Sequence, residues 1–417
     1  MVAVRFVVFG ECAPRGTMRD ASMAFPSGVR RGFSCNADAV SAVSEIWEQV
    51  RQDDTKLTVF FCSSAYNPDR LASRVREVFV DGSVVGCTTA GEIGPGGYVD
   101  RSIVAFSLAG PDFEVATGFV GDLLHFSPAE GHAMVRRLIV ELSEKGVVPT
   151  PESAFGFQLL LPFLTRETIV TQTIYRALGG ISLVGGCAAD DLLLDAPMLF
   201  YRGEFRQNCS LLSLIWTNRK FHVFSTHSFA QCGDRLVVTT ADPSTRSVSE
   251  LNGEPAAAEY ASAVGVEVAD LSPTVFATNP VLLSLHGRLH ALTIQRANGD
   301  GSLTFGTAMS HGSVLTLGMA TDIADDMVRL FGSVRRIVRW PDLTIACDCA
   351  YRRLALAKTG QTAEVGKLLL ENNAVGFCGY GQQIDALVVV LRLAAVVIEG
   401  RRIMPPNTLL QNAALQH

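Results

Sequence analysis

The chain has 417 residues, a formal net charge of −6 at pH 7 and a sequence pI near 5.8, and this acidic balance argues against a general nucleic-acid-binding surface. Hydrophobic residues make up 48% of the chain, but no apolar run reaches the ~18 residues that a membrane-spanning helix needs. The length exceeds that of one comfortable core and predicts about two domains of mixed α/β type.

The first 35 residues predict a strand over Val2–Gly10 and a loop over Gly10–Gly32. This opening has no charged segment followed by a cleavable apolar one, so we expect a cytoplasmic protein. The ten cysteines are mostly scattered singly in apolar surroundings, which predicts buried thiols in a reducing compartment. Cys347 and Cys349 are too close together for a zinc knuckle. An amphipathic helix follows over Asn36–Gln52, with Asn36 or Asp38 as its N-cap.

Three stretches of the chain are variants of one eight-residue sequence motif. They are VGCTTAGE at Val85–Glu92, VGGCAADD at Val184–Asp191 and VGFCGYGQ at Val375–Gln382. Each follows an apolar strand and a helix, which predicts three similar strand–helix–strand units. Loops beyond the ends of buried strands commonly face ligands in open α/β sheets. Glu92, Asp191 and Gln382 are therefore hydrogen-bonding candidates, and the alternative is a repeated structural turn with a capping acceptor.

Between the first two units, the pattern predicts strands at Ser102–Leu108 and Phe113–Val120 and a helix over Pro128–Lys145. Short strands that look antiparallel follow the second unit. Their predicted bounds are Met198–Arg202, Ser210–Thr217 and Lys220–Ser225.

Turn residues at Asn252–Pro255 precede an Ala-rich helix, and we place a domain boundary at residue 249. Asn298–Gly301 predicts a hairpin between two flanking strands. A strand at Val314–Met319 and a helix over Thr321–Val338, started by Asp322, lead to the third unit. A last strand, Ala394–Glu399, precedes a tail over residues 400–417.

Motifs for nucleotide binding and for nucleophilic catalysis are weak in this sequence. No Gly-Lys-Ser/Thr closes a P-loop, and no G-x-G-x-x-G joins a strand to a helix. Cys87 and Cys378 lie at glycine-flanked strand ends, but the sequence places no histidine base beside them. We therefore expect no enzyme. His222, His227 and His311 lie in or near apolar strand ends, where a hydrogen-bonded structural histidine is the simplest alternative to a ligand.

Several of these residues together resemble the FIST family, whose members carry an N-terminal and a C-terminal FIST domain. The matching segments are Thr58–Cys62, Val85–Glu92 and Val238–Ala256, with Cys349, Arg352 or Arg353, Glu364 and Val375–Gly381 in the C-terminal half. The resemblance implies an α/β (α+β) protein of mixed β-sheets layered with helices. Its divisions are an N-terminal strand and loop at 1–35, a FIST N-terminal-like domain at 36–248, a FIST C-terminal-like domain at 249–399 and the tail.

The resemblance further implies a small-ligand sensor that regulates a separate partner, such as a histidine kinase or a cyclic-di-GMP enzyme. In the nitric-oxide-sensing branch of the family, haem is held by a histidine. We expect haem b at His227, with His311 and His222 as alternative ligands, because a small neutral diatomic gas needs a metal for affinity. The alternative is metal-free binding of an organic metabolite such as an amino acid. Glu92, Asp191, Arg352 or Arg353, and Tyr380 would then contact the ligand. The oligomeric state is left open, and a homodimer is compatible with the sequence.

Overall fold

The computed structural model describes residues 28–401 apart from residues 81, 163–165, 227 and 286–287. The described part contains α-helices layered on mixed sheets, which confirms the predicted α+β class. The predicted strand at Val2–Gly10 and nearly all of the predicted tail lie outside these residues. Within the described part, no helix combines the length and the apolar character needed to span a membrane.

Most of the chain is built from three copies of one larger repeat, in which a strand, a helix, the predicted strand–helix–strand unit, a short hairpin and a final strand follow each other. The first repeat comprises β1 (Val29–Ser34), α1 (Ala39–Val50), β2 (Thr55–Ser63), α2 (Pro68–Val78), β3 (Ser83–Thr89), β4 (Glu92–Gly94), β5 (Gly97–Val99) and β6 (Ile103–Ala109). The second comprises β7 (Phe113–Gly121), α3 (Pro128–Glu144), β8 (Ala154–Leu160), α4 (Glu167–Leu178), β9 (Ser182–Cys187), β10 (Leu199–Tyr201), β11 (Glu204–Arg206) and β12 (Cys209–Thr217).

The third repeat begins with β13 (Phe221–Ser225) and is then interrupted by an inserted α+β segment. That segment holds β14 (Phe229–Asp242), β15 (Ser247–Leu251), β16 (Glu254–Pro255), α5 (Ala256–Val264), α6 (Pro273–Thr278), β17 (Val281–Leu285), β18 (Arg288–Leu292), β19 (Ile294–Ala297), β20 (Leu303–Phe305) and β21 (Val314–Ala320). The repeat resumes with α7 (Ile323–Ile337), β22 (Pro341–Cys349), α8 (Ala350–Lys358), α9 (Thr362–Glu371), β23 (Ala374–Gly379), β24 (Gln382–Ile384), β25 (Leu387–Val389) and β26 (Leu393–Glu399).

The repeats exchange their hairpins in a cycle. The first sheet has the order β1-β6-β2-β3-β10-β11, the second β7-β12-β8-β9-β24-β25 and the third β13-β26-β22-β23-β4-β5. Each sheet is thus completed by the hairpin of another repeat. Since every repeat both gives and receives a hairpin, the three sheets close into one interlocked body. The strands of the inserted segment form a separate sheet of eight strands.

The inner faces of the three sheets share one apolar core. The Phe61 ring, from the first repeat, lies 4.6 Å from that of Phe377 in the third and 6.4 Å from that of Phe157 in the second. Helices cover the outer faces: α1 and α2 on the first sheet, α3 and α4 on the second, and α7 to α9 on the third. Both faces of the central strands are therefore buried, which explains their continuous apolar sequences.

The glycine of each Val-Gly pair is required by the close approach of two parallel strands. A Cβ added at Gly86, Gly185 or Gly376 would lie 2.6, 1.9 or 1.8 Å from a backbone oxygen of the neighbouring strand. No side chain can be accommodated at such distances without a shift of the backbone. The glycine of the repeated sequence motif is therefore explained by strand packing.

Most elements with local signals lie close to their predicted bounds. Asp38, Ser127 and Asp322 cap α1, α3 and α7, and the side chain of each accepts a hydrogen bond from the backbone N–H of the residue three positions later. The hairpin at Asn298–Gly301 is confirmed by the antiparallel pairing of β19 with β20. The loop predicted over Gly10–Gly32 is wrong at its end, because Val29 starts β1 and pairs with Leu108 of β6.

The prediction of buried thiols is correct for seven of the cysteines that the structure describes and wrong for two. Cys232 is free but exposed, and Cys35 is disulfide-bonded. The seven free and buried cysteines are Cys62, Cys87, Cys187, Cys209, Cys347, Cys349 and Cys378. Burial raises the pKa of the Cys87 and Cys378 thiols well above the ordinary value, so neither is a thiolate nucleophile at neutral pH.

Candidate functional site

The three repeats meet at the carboxyl ends of β3, β9 and β23, a region we call the junction. A ring of backbone hydrogen bonds links these ends. The bonds run from Ala189 N to Thr88 O (2.9 Å), from Ala90 N to Cys378 O (2.8 Å) and from Tyr380 N to Cys187 O (3.3 Å). Each repeat donates to another, so the ring is closed. The side chains that follow these strands are thereby brought together from distant parts of the sequence.

Glu92 is a carboxyl group at the junction that has no exposed surface. Ser102 donates to it through its hydroxyl (2.6 Å) and its backbone N–H (3.2 Å), and Thr89 contacts its other oxygen. Burial raises the pKa of Glu92 to about 8, although these hydrogen bonds oppose the rise. At neutral pH Glu92 is therefore a protonated acid that can donate to Thr89, whose own hydroxyl lies 3.3 Å from the Cys62 carbonyl oxygen.

Asp191 lies closer to the surface. It accepts a hydrogen bond from the Ser64 hydroxyl at 2.6 Å, and its side chain is only partly buried. Burial raises the pKa of this carboxyl, and the nearby charge of Asp100 adds to the rise. Asp100 in turn accepts two hydrogen bonds from the guanidinium of Arg353, at 2.7 and 2.9 Å. We call Ser64, Glu92, Asp100, Asp191 and Arg353 the junction cluster.

Gly91 is what allows Arg353 to enter the junction. A Cβ at this glycine would lie 1.7 Å from Arg353 Nη1, and its φ of +107° is one that other residues rarely adopt. Arg353 also donates to the Ala90 carbonyl oxygen at 3.3 Å. With Glu92 protonated, the cluster carries two carboxylates and one guanidinium. Its net charge is negative, which favours a ligand that offers hydrogen-bond donors or a positive charge.

Arg352, the residue that we predicted as a ligand contact with Arg353 as its alternative, points away from solvent. It is fully buried, donates from Nη1 to Asp348 at 2.6 Å and lies 3.3 Å from the Tyr98 hydroxyl. Its Nε and Nη2 have no hydrogen-bond partner among the described residues. In this conformation Arg353 is the arginine that reaches the junction cluster, and a direct ligand contact by Arg352 stays a prediction.

Tyr380 holds the loop that contains Asp191. Its hydroxyl donates to the Asp190 carboxylate at 2.5 Å, and that carboxylate also accepts the backbone N–H groups of residues 194, 195 and 196 at 3.0, 2.7 and 2.7 Å. The loop needs this support because Asp191, Leu192 and Leu194 all have positive φ, of 54°, 66° and 58°. Such a conformation costs about 1–2 kcal/mol per residue, and strain of this kind concentrates at functional sites.

This loop also breaks the symmetry of the repeats. Residues 188–198 join β9 to β10, whereas two residues make the equivalent connection in the first and third repeats. Strand pairing shows which residues are equivalent. Glu92 pairs with Phe377, Gln382 with Gly186, and Leu199 with Cys87, and each of these partners directly follows the Val-Gly pair of its repeat. Leu199 is therefore the residue of the second repeat that is equivalent to Glu92 and Gln382. The predicted equivalence of Asp191 with Glu92 and Gln382 is therefore wrong, because the insertion carries Asp191 out of register. Asp191 reaches the junction from the inserted loop.

The structure adds residues that sequence reasoning missed. Ser64 and Asp100 belong to the junction cluster, and Ser102 and Thr89 hold Glu92. Ser64 directly follows β2, so the rule that ligand-facing residues follow strand ends could have indicated it. Asp100 follows the exchanged hairpin and carried no comparable signal.

The two described histidine candidates for a haem ligand lie in different surroundings. His222 is half-buried on β13 beside Phe224, and burial lowers its pKa, whereas His311 is exposed and its Nδ1 lies 2.7 Å from the Thr239 carbonyl oxygen. A haem needs an apolar pocket around its ligand. His227 lies outside the described residues. Over the described ranges, no three His, Cys, Asp or Glu side chains are grouped as a metal site.

Two clefts of about 1070 Å³ each lie outside the junction, and no described histidine lines either of them. One lies near the amino ends of β2 and β3 and is bordered by Lys56, Lys145 and Arg202. The other, which we call the loop cleft, lies between the strained loop 191–197 and the β19–β20 hairpin of the inserted segment.

Comparison with known proteins identifies the family. Residues 56–254 match the FIST N domain, and residues 256–385 match the FIST C domain. An uncharacterised protein of Methanocaldococcus jannaschii is 22% identical to this chain over 238 residues. The match covers 49% of this chain and 45% of that protein, so the chain spans less than half the length of this relative. A solved structure described as "Cyanuric acid hydrolase: evolutionary innovation by structural concatenation" is 9% identical to this chain, with a TM-score of 0.35. The match covers 89% of this chain and 99% of that chain. The domain matches together span most of the chain, which therefore belongs to the FIST family, whose domains bind small ligands in signalling proteins.

Proposed function

We propose that this protein senses a small polar organic molecule, such as an amino acid, at the junction cluster and regulates a separate cytoplasmic signalling partner. A histidine kinase or a cyclic-di-GMP enzyme would be such a partner. The observation that supports this most is the convergence of three distant strand ends into one ring, with Glu92, Asp191 and Arg353 placed beside it. Partly buried charged groups on a rigid scaffold are typical of sites that orient a small ligand.

The chemistry of the cluster favours a ligand that carries an amine. Asp191 accepts one short hydrogen bond, from Ser64, and an ionised carboxylate can accept more. An ammonium group on the ligand would take the remaining acceptor sites of Asp191. It would also lower the pKa of that carboxyl and oppose the effect of burial. A ligand carboxylate could then compete with Asp100 for the paired donors of Arg353.

A thermal-shift screen of the full chain with the common amino acids and simple amines tests this function. A ligand at 100 times its Kd should stabilise the folded state by about 2.7 kcal/mol. The variant Asp191→Asn keeps the shape but removes the charge, and it should weaken the response by about ten-fold or more, since hydrogen bonds to charged groups contribute about 1.5–3 kcal/mol. Asp195→Asn, at an exposed position of the same loop, is the control and should respond like the wild type. A response that is equal in Asp191→Asn, or absent from the wild type, would contradict the proposal.

Haem-based sensing of nitric oxide is the second candidate, with His227 as the first choice of ligand and His311 and His222 as alternatives. Its support is the resemblance to the nitric-oxide-sensing branch. Supplying haem and recording the absorption spectrum tests this candidate. A Soret band that His227→Ala removes would favour haem, and the absence of any such band in the wild type would exclude haem binding under those conditions.

A further inference from the structure

The segment that joins α7 to β22 exposes large apolar and basic side chains side by side. Ile337 and Trp340 are 37% and 53% exposed, and three arginines beside them are also exposed. A tryptophan buries more apolar surface than most side chains when it is covered, so its exposure here is unfavourable for an isolated chain. We call Arg335, Arg336, Ile337, Arg339 and Trp340 the arginine–tryptophan patch.

The backbone beneath the patch is fixed on both sides. Val338 is fully buried and anchors the segment in the core of the third repeat. Arg339 donates its backbone N–H to Glu399 Oε1 at 2.9 Å, and the carbonyl oxygen of Trp340 accepts from the backbone N–H of Gly400 at 2.8 Å. The exposed side chains are therefore displayed on a preorganised backbone, which lowers the entropy lost when a partner binds.

The arginines of the patch keep their positive charge available. The guanidinium groups of Arg336 and Arg339 form no hydrogen bond or ion pair with any residue that the structure describes. Arg335 donates only to neutral acceptors, namely Asn372 Oδ1 at 3.0 Å and the carbonyl oxygen of Glu371 at 3.1 Å. These three groups can thus pair with carboxylates that a partner supplies.

The acidic side chains next to the patch do not neutralise it. Asp342 accepts from Arg219 at 2.7 Å, and the Glu371 carboxylate lies 3.9 Å from Lys367 Nζ. Glu399 is the remaining carboxylate beside the patch, and one of its oxygens already accepts a backbone N–H. Three arginines therefore face solvent against one nearby carboxylate, which makes this surface positive on a chain whose net charge is −6.

This combination favours a short acidic protein segment over other anions. Tryptophan and arginine are the residues that most often dominate the binding energy of protein interfaces. A short segment is influenced mainly by charges within about 10 Å at ordinary salt concentrations, so it meets the local positive field. A nucleic acid or an anionic membrane extends further and is also repelled by the acidic remainder of the chain.

We propose that the arginine–tryptophan patch is a docking surface for an acidic segment of a partner protein that also carries apolar side chains. Carboxylates of that segment pair with Arg336 and Arg339, and its apolar side chains cover Trp340 and Ile337. Residues 402–417 contain no aspartate or glutamate, so the end of this chain lacks the complementary charge. The docking surface does not depend on what binds at the junction cluster.

Fluorescence anisotropy tests this proposal, with the full chain titrated into a labelled synthetic peptide that repeats aspartate, glutamate and leucine. The wild type should bind the peptide saturably. Arg336→Gln combined with Arg339→Gln should weaken binding at least ten-fold, and Trp340→Ser should weaken it severalfold. Because these positions are exposed, the variants should keep the melting temperature of the wild type.

The matched control removes the same charge elsewhere. Arg136→Gln combined with Arg137→Gln changes two exposed arginines of α3, which covers the second sheet, and should bind the peptide like the wild type. Asp191→Asn should also bind the peptide like the wild type, which separates this surface from the junction cluster. A loss of binding as large in the α3 variant as in the patch variant would show that only net charge matters and would contradict the proposal.

Further probes test the class of partner. A peptide with serine in place of leucine should bind severalfold more weakly, and single-stranded DNA and phosphatidylserine vesicles should each bind at least ten-fold more weakly than the acidic peptide. Absence of saturable peptide binding, or tighter binding of the DNA or the vesicles, would overturn the proposal. Self-association of the wild type that Arg336→Gln combined with Arg339→Gln abolishes would assign the patch to a second copy of the chain instead.

Discussion

Replacing Glu92 by glutamine should make the protein more stable at high pH and remove a pH dependence from its unfolding. Glu92 is fully buried, and its pKa in the folded protein is raised from 4.5 to about 8. Gln382 occupies the equivalent position of the third repeat, so the fold already accommodates an amide there. A glutamine can accept from Ser102 and donate to Thr89, which preserves the contacts of the protonated acid.

The sign of the effect follows from proton linkage. Between the unfolded pKa of 4.5 and the folded value of about 8, the unfolded chain has lost the Glu92 proton and the folded chain keeps it. Stability therefore falls as pH rises through this window, by about 1.4 kcal/mol per pH unit at most. From pH 6 to pH 8 the loss comes to about 2 kcal/mol once the folded group begins to ionise. Glu92→Gln has no such group and should not show this contribution.

Urea unfolding of wild type and Glu92→Gln at pH 6, 7 and 8 measures the difference directly. The stability of the variant relative to the wild type should grow by about 2 kcal/mol across this range. Glu364→Gln, at an exposed position of α9, is the control, and its difference from the wild type should stay constant with pH. A Glu92→Gln difference that is flat, or that shrinks as pH rises, would refute the conclusion that Glu92 is protonated in the folded protein.

Two further predictions concern stability. Gly376→Ala should destabilise the protein by about 3 kcal/mol, because the new Cβ would lie 1.8 Å from the Ala346 carbonyl oxygen. Gly332→Ala in α7 has open space around the new Cβ and should stabilise the protein by about 0.5–1 kcal/mol. Urea unfolding of the two variants measures this difference, and similar midpoints would contradict the prediction. Arg219→Met should cost about 3–5 kcal/mol, since Arg219 donates to the buried Asp112 at 2.6 and 2.8 Å and to Asp342 at 2.7 Å. A denaturation midpoint close to that of the wild type would show that Arg401, the other partner of Asp112, suffices.

Local features were predictable because their causes are local. Asp38 and Asp322 cap helices through atoms within three residues along the chain. The three Val-Gly strands were recognisable because burial on both faces demands an apolar sequence and the close strand contact demands a glycine. Even here, the repeated motif indicated only the strand–helix–strand part of each repeat. The full repeat also has a strand and a helix before that part and a hairpin and a strand after it.

The candidate site was predicted in part. Glu92 and Asp191 do lie at the junction, and the expectation that residues after strand ends gather at one place is met by the hydrogen-bonded ring. The choice between two adjacent arginines could not be made from sequence. Arg352 and Arg353 differ in direction around α8, and only the positions of Asp348 and Asp100 on other elements determine which one reaches the cluster.

The sequence by itself determined the units, their caps and the glycines between packed strands, because each depends on neighbours in the chain or on a recurring pattern of burial. Only the tertiary structure decided how those units join. The exchange of hairpins among three sheets, the closed ring at the junction and the displacement of Asp191 by an inserted loop all depend on pairing between distant strands. Such pairing is set by the shape and hydrogen-bonding groups of the whole assembly, which no single segment encodes.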